Sequence, residues 1–393
     1  MSKRVRMGMV GGGEGAFIGA IHRMAAALDG EIELVAGCFS SDPARGRATA
    51  ARLGLPADRA YASYRDLVLG EAARPAGERM EFVSVVTPND LHLPAATEAL
   101  RGGFHVLSDK PAARSLEETI SLRAVVHETG LVYGLTHTYA AYPMVRQARE
   151  MVCGGELGAV RRVTVAYPQG WLASADDAGG KQASWRTDPA RSGESGCFAD
   201  IGTHAHNLVE FVTGSRITEV CADLRSVVDG RLLDDDGAAL FRLENSARGT
   251  LTASQVCAGE GNNLSISVYG EKGALSWQQE DPNRLQLRRR GGPLETYVAG
   301  ADCAYLAPEA RALCRTPQGH PEGYIEAFAN IYRDFADRVR RARTGEPADA
   351  SGASGGIEAG VRGMAFVRGA LESSRNHSSW VSLRPLWEEP ATD

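Results

Sequence analysis

Short apolar runs open the chain and recur at regular intervals through its first third. Val5–Val10, Ile32–Phe39, Phe82–Thr87, Phe104–Leu107 and Leu131–Leu135 are nearly continuous in apolar character, as strands buried on both faces are. Between them, Ile18–Leu28, Pro43–Leu53, Pro94–Arg101 and Leu116–Glu128 carry helical spacing, and Gly102-Gly103 offers a stop for one of them. Strands alternating with helices predict βαβ units and a parallel sheet.

After about Tyr139 the rhythm changes. Met144–Val152 is helical. Arg161–Tyr167, Ile217–Asp229, Gly237–Arg242, Ala247–Gln255, Leu264–Tyr269 and Gly273–Trp277 then read as longer strands parted by Gly, Asp and Asn, the pattern of a largely antiparallel sheet. Phe198–Val212 is a helix among them, and Glu322–Arg341 and Gly356–Ser373 are helical near the end. Segments 174–181, 291–302 and 343–355 are loop-like in composition. The predicted fold class is α/β. A Rossmann-like dinucleotide-binding domain spans 1–139. An α+β domain with a large open, mostly antiparallel sheet is expected over 140–393, for substrate binding and oligomerisation. A ligand cleft is expected between the two.

Composition narrows the class. The 393 residues are too many for one ordinary core, and 43% hydrophobic with 23% charged content is that of a soluble globular protein. A net charge of −6 argues against a nucleic-acid surface. No apolar run reaches membrane-spanning length, and the N-terminus lacks the apolar stretch of a secretory signal. The seven cysteines form no C-x-x-C pair, so a reduced, cytoplasmic protein without a metal site is expected. Asp234–Asp236 reads as a solvated turn, and Arg288–Arg290 as a sheet face or a charge-guarded edge strand.

The chemistry begins at VRMGMVGGGEGAFIGAIH, residues 5–22. A strand ends at Val10 and a helix starts near Ile18. Gly11 and Gly13 suit the tight turn that lets backbone approach a pyrophosphate at a helix N-terminus. Two readings stand. In one, Gly19 is the final glycine, where helix packs on strand, and the turn carries a three-residue insertion. In the other, Gly11, Gly13 and Ala16 form G-x-G-x-x-A without insertion. After the second strand comes CFSSDPARGR. Ser40 stands where an acid often reads the adenosine ribose, Asp42 follows, and Arg45 is near. Asp42 serves either the ribose or the next helix as its cap, with Pro43 at the first position. NAD is favoured and NADP is not excluded.

Further strand ends carry TPNDLH (87–92), SDKP (108–111) and THTY (136–139), and a long polar segment runs from Ser184 to Phe211. Asp200 and His204, four apart on a helix, share one face. His206 lies off that face and reads as structural. This order of motifs, GGG…GxxH, TPNDLH, D-K-P and WR…G…DIGTH, resembles the glucose–fructose oxidoreductase / inositol dehydrogenase / rhizopine catabolism superfamily over nearly the whole chain. The resemblance implies hydride transfer between NAD(P) and a secondary carbinol of a sugar, cyclitol or glycoside. It implies Lys110, Asp200 and His204 as catalytic residues, His204 as acid/base and Lys110 polarising the substrate oxygen. It places Gly11, Gly13, Phe17, Ile18, Ser40, Arg45, Thr87, Asn89, His92, Asp109 and Lys110 about the cofactor. Lys110, Tyr139, Trp185, Arg186, Asp200 and His204 then line the substrate. His92 also reads as a helix-start packing residue, and Trp185 as a core residue. Trp171 and His320 are weaker substrate-side candidates. The family tripeptide is usually Glu-Lys-Pro; Asp109 is one methylene shorter. Pro111 is expected to follow a cis bond, as in the family. A homodimer or homotetramer is expected. Two other functions stay in view: glycoside cleavage by transient oxidation and elimination, and a non-catalytic cofactor sensor.

Overall fold

The computed structural model describes residues 4–346 and 355–388, so most of the loop-like stretch 343–355 lies outside the described residues. The chain forms two compact units. The first comprises residues 1–137 with Ala190–Ser192 and Phe328–Val361. These units differ from a single division at 139/140 in that the chain returns to the first unit late.

In the first unit the elements alternate as the pattern predicts: β1 (Val5–Gly11), α1 (Phe17–Leu28), β2 (Ile32–Cys38), α2 (Pro43–Arg52), α3 (Tyr64–Ala72), β3 (Phe82–Val86), α4 (His92–Arg101), β4 (His105–Ser108), α5 (Leu116–Thr129) and β5 (Tyr133–Leu135). Helix α3 was not legible in the apolar spacing. Ser63 starts it, accepting from Asp66 N. The strands pair in the order β2-β1-β3-β4-β5, all parallel. β1 and β3 are buried almost throughout, which explains their unbroken apolar runs. The late return to this unit has a packing cause. Phe328, Tyr332 and Phe335, one face of a long C-terminal helix, lie against His22 and Phe82. Tyr332 also shares a 2.8 Å hydrogen bond with Ser84 inside the sheet.

The second unit adds α6 (Pro143–Cys153), β6 (Val160–Pro168), α7 (Lys181–Arg186), α8 (Pro189–Ser192, whose last three residues count with the first unit) and α9 (Thr203–Thr213). Strands β7 (Ile217–Arg225), β8 (Asp236–Leu243), β9 (Arg248–Ser254), β10 (Ser265–Gly270), β11 (Gly273–Gln278), β12 (Arg284–Arg289) and β13 (Leu294–Val298) follow. The short α10 (Pro308–Arg311), the long α11 (Tyr324–Arg343) and α12 (Ile357–Arg375), β14 (Val381–Ser382) and α13 (Arg384–Trp387) complete the chain. Nine strands pair in the order β13-β12-β11-β10-β6-β9-β8-β7-β14. Every pair is antiparallel except β6 with β9. Helices α6 and α9 pack on one sheet face, α6 over β11 and β12 and α9 over β6, β9 and β10.

Three expectations are corrected here. Residues 294–298 of the expected loop 291–302 form edge strand β13, hidden in the sequence because it is short and buries none of its residues. β7 ends at Arg225 rather than Asp229. The Asp234–Asp236 turn is not solvated: Asp235 is buried, and the Asp234 and Asp235 carboxylates accept backbone N–H groups. Arg289 of β12 pairs with Glu295 on β13 and with Glu156, so its charge is locally balanced.

Candidate active site

In the first unit the candidate residues sit at the C-terminal ends of adjacent parallel strands, where such sheets bind ligands. Gly11 and Gly12 have φ of +89° and +71°, which L side chains rarely adopt. A Cβ on Gly19 would lie 2.2 Å from the Gly12 Cα, so α1 rests directly on the turn at this glycine. Ala16 instead is the N-cap of α1, and its N–H donates to Gly13 O at 3.0 Å. The three-residue insertion therefore describes the turn. Among the described residues no side chain caps α1, and no acid occupies its first turn. That leaves the helix start suited to an anion such as a pyrophosphate. Phe17 is exposed and Ile18 half-buried at this start. After β2, Asp42 Oδ1 accepts from Ala44 N (2.8 Å) and Arg45 N (3.3 Å), capping α2, while Ser40 Oγ accepts from Asp42 N (3.1 Å). The Arg45 side chain is exposed.

After β3, Thr87 Oγ1 is buried without a partner among the described residues, an acceptor and donor suited to a nucleotide. Asn89 Nδ2 donates to Ser192 O at 3.0 Å. Both His92 nitrogens face carbonyls, Pro111 O at 2.7 Å and Thr87 O at 2.9 Å, so this ring links the segments after β3 and β4. The Lys110–Pro111 bond is cis. Asp109 Oδ1 accepts from Lys110 N (2.9 Å) and Thr136 Oγ1 (2.7 Å). Burial pushes the Asp109 carboxyl up, but His22, Lys110, the Thr136 hydroxyl and His92 together hold it below the usual range. It stays a charged partner beside Lys110. His22, bound to Tyr332 Oη at 2.8 Å, is pushed down by burial to about 4, with Asp109 opposing and Arg23 adding.

In the second unit Asp200 lies in a π-helical turn, Phe198–Gly202, that runs into α9. The continuous α-helix expected over 198–212 is thus corrected. The wider turn changes the angle between Asp200 and His204 from the simple α-helical value. Asp200 Oδ2 accepts from Arg186 Nε (3.2 Å) and Gln255 Nε2 (2.9 Å). The Arg186 guanidinium stacks 4.2 Å from the Trp185 ring centre and 5.8 Å from that of Trp171. His204, buried, meets the Tyr139 ring edge-on at 4.8 Å. The Tyr139 hydroxyl is bound by Tyr167 Oη and by Asn262 Nδ2 (3.0 Å). Burial raises the pKa of both tyrosines, so both are neutral. Asn262 Oδ1 accepts from Tyr167 Oη (2.7 Å) and Gln169 Nε2 (2.6 Å), and Gln169 Oε1 from Trp171 Nε1 (2.9 Å). One polar cluster therefore runs from His204 to Trp171 and back through Arg186 to Asp200. His206 stands apart, 3.4 Å from Glu210. His320 is exposed in a turn outside the cluster.

Sequence reasoning missed Gln169, Gln255, Tyr167 and Asn262. One signal was available. Gln169 and Gln255 directly follow β6 and β9, the parallel pair, where the strand-end rule applies. Among the described residues no cluster of metal-ligating side chains occurs, and no helix is long and apolar enough to cross a membrane.

Comparison with known proteins shows the family of the chain. Residues 5–137 match the oxidoreductase family with an NAD-binding Rossmann fold, and residues 145–276 match the GFO/IDH/MocA C-terminal domain. An uncharacterised oxidoreductase of Bacillus subtilis, YfiI, is 32% identical over 98% of both chains. The inositol dehydrogenase homologue of Azotobacter vinelandii, solved with NAD+, is 36% identical, covers 97% of this chain and 98% of its own, and has a TM-score of 0.92. The same homologue with NADH and myo-inositol is 35% identical over 97% and 98%, with a TM-score of 0.89.

Proposed function

Because the chain belongs to the glucose–fructose oxidoreductase / inositol dehydrogenase / rhizopine catabolism family, we propose that it interconverts a secondary alcohol and a ketone on an uncharged cyclitol or sugar ring, with NAD as its cofactor. At the coarser level it is an NAD-binding oxidoreductase of the sugar and cyclitol dehydrogenase type. The nicotinamide, when bound, accepts or returns the hydride.

The observation that carries the finer reading is the cluster around Asp200 and His204. Arg186 and Asp200 form an ion pair (3.2 Å), so their charges cancel locally. Amides and hydroxyls supply the rest, and Trp171 and Trp185 offer apolar faces. Such a set suits a neutral ring with several hydroxyls. His204 takes the hydroxyl proton as the alcohol is oxidised, and Asp200 accepts a second substrate hydroxyl. Lys110 polarises the reacting oxygen, with charged Asp109 beside it. The Tyr139 hydroxyl is already bound within the protein, so its ring supports His204 instead of donating to substrate. In the other unit, Gly11, Gly13 and the start of α1 at Phe17 and Ile18 take the pyrophosphate, and Thr87, Asn89 and His92 the nicotinamide side. Ser40 and Arg45 flank the adenosine ribose, and the negative charge of Asp42 between them favours NAD over a 2′-phosphate.

The seven cysteines are all free thiols, which suits the reducing cytoplasm. We also assign a homo-oligomer built on the sheet face opposite α6 and α9. Thr250, Thr164, Ser267 and Ser276 form one cross-strand row there, small enough for close packing against a second copy. Light scattering tests this, and a monomer at micromolar concentration would contradict it.

The activity test is absorbance of reduced nicotinamide with NAD or NADP and a panel of myo-inositol, other cyclitols, neutral sugars and sugar phosphates. Turnover with NAD and a neutral ring is expected. Preference for a sugar phosphate or for NADP would overturn the finer reading.

A further inference from the structure

The Asp234–Asp236 turn takes no part in the roles above, yet its atoms hold the elements that present Asp200. We propose that Asp234 is a positioning residue that sets the π-helical turn carrying Asp200 and leading into His204. The proposal rests on the catalytic reading of that pair.

Three consecutive N–H groups at the entry to the turn end on this one residue. Asp234 Oδ1 accepts from Gly196 N at 2.9 Å, its main-chain oxygen from Cys197 N at 2.8 Å, and Oδ2 from Phe198 N at 2.9 Å. The first N–H groups of a helix have no acceptor within it. Here a residue distant in sequence supplies the acceptors. The approach is tight: a Cβ on Gly196 would lie 2.5 Å from the Asp234 carbonyl oxygen. On its other side the turn is fixed by the Phe198 ring, stacked 6.0 Å from Phe366. A Cβ on Gly237 would come within 2.6 Å of that same ring. The start of the turn therefore has no room to slide, and the direction of Asp200 follows from it.

The neighbouring residue holds the other side of the carboxylate. Asp235 O accepts from Gln255 N at 2.8 Å, and Gln255 Nε2 in turn binds Asp200 Oδ2 at 2.9 Å. The Asp235 carboxylate accepts from Val227 N (2.7 Å) and Val228 N (3.1 Å), which stiffens the turn itself. Arg231, 3.7 Å from Asp235, donates to Leu172 O (3.0 Å) and Ser174 O (2.9 Å), just beyond Trp171. One turn thus anchors Asp200, its amide partner and the chain beside the indole platform. These contacts explain why an acid stands at 234. Two side-chain oxygens are needed for two N–H groups, and asparagine offers one at the same size.

The test uses the full chain as Asp234→Asn and Gly196→Ala, with His204→Ala beside them. The Gly196→Ala change parts the contact while keeping the carboxylate. The readouts are the pH titration of the His204 ring followed by 13C-histidine NMR, NADH affinity by fluorescence, and kcat with whichever panel polyol the wild type oxidises. Loss of ring alignment of this kind lowers kcat by about 10- to 100-fold. A displaced His204 titration and that loss, with NADH affinity and KM for NAD unchanged, are expected in at least one folded variant. A lower melting temperature with wild-type His204 titration and kcat in both would overturn the proposal and make Asp234 merely structural. Wild-type kcat in His204→Ala would instead overturn the catalytic reading, and the NMR result would still decide the role of Asp234.

Discussion

The two units present their functional groups in opposite ways. In the first, the proposed cofactor groups are glycines and strand ends that would bring backbone toward the ligand: the Gly11–Gly13 turn, the uncapped start of α1 and the segments after β3 and β4. In the second, side chains do the work, and nearly each one is held by another: Asp200 by Arg186 and Gln255, Tyr139 by Tyr167 and Asn262, Trp171 by Gln169. Backbone recognition suits a ligand shared across a family, because it tolerates changes of side chain. A braced set of side chains suits a ligand that differs from one member to the next. Substitutions should therefore act on cofactor binding in the first unit and on substrate selectivity in the second.

Lys110 sharpens this division, since it belongs to the first unit yet is assigned to chemistry. Lys110→Ala should cut kcat by about 10²- to 10⁴-fold, the usual worth of a proton-handling or polarising group, while NADH binding persists. Loss of NADH binding in step with kcat would place Lys110 in the cofactor site alone. Gly19→Ala comes next. Its Cβ would sit 2.2 Å from the Gly12 Cα, so α1 must move off the turn. Strain of this kind costs about 1–3 kcal/mol, and the NADH Kd should rise by roughly 10-fold or more. Unchanged affinity by fluorescence titration would break the claim that backbone approach governs this half.

Trp171→Ala should raise KM for the polyol by about 10-fold with little change in kcat or in KM for NAD, the loss expected from one stacking face. The smallest effect is that of Tyr167→Phe. It removes one buried hydrogen-bond partner of Tyr139 and Asn262, worth about 1 kcal/mol, and should lower both stability and kcat slightly.

Acid stability tests both units together. Burial raises Glu210, but His206 and Arg362 outweigh it and bring the carboxyl to about 2. The unfolded chain holds that proton more tightly, so the stabilisation is complete above the ordinary carboxylate range and is lost as pH falls toward 2. His22 is buried neutral with its pKa at about 4, below the ordinary 6.5. Its contribution is full above about 6.5 and fades as the unfolded chain takes up the proton first, down to about 4. Denaturant melts should show stability falling from pH 6.5 to 4, with a smaller fall in His22→Asn, and a further fall below pH 4 that Glu210→Gln reduces.

The parallel sheet was legible because strands buried on both faces leave unbroken apolar runs, and because Gly19 and the D-K-P tripeptide mark fixed places on it. In the second unit much of the site was not. Tyr167 and Asn262 are far apart in sequence and meet only through the register of the nine-stranded sheet. The π turn cannot be told from an α-helix by spacing alone. Asp234 and Asp235 looked like solvent-facing acids because three successive aspartates usually are, and only the backbone N–H groups converging on them show otherwise.

The proposed reaction is direct hydride exchange between the carbinol carbon and the nicotinamide. It is tested most directly by giving the wild-type enzyme and NAD the active polyol deuterated at that carbon, and reading the reduced cofactor by mass spectrometry and NMR. Deuterium is expected at C4 of the nicotinamide, on one face of the ring. Reduced cofactor formed without deuterium, the label having passed to solvent, would contradict it; product with the deuterium retained and none on the cofactor would contradict net oxidation and point to an oxidation reversed within each turnover.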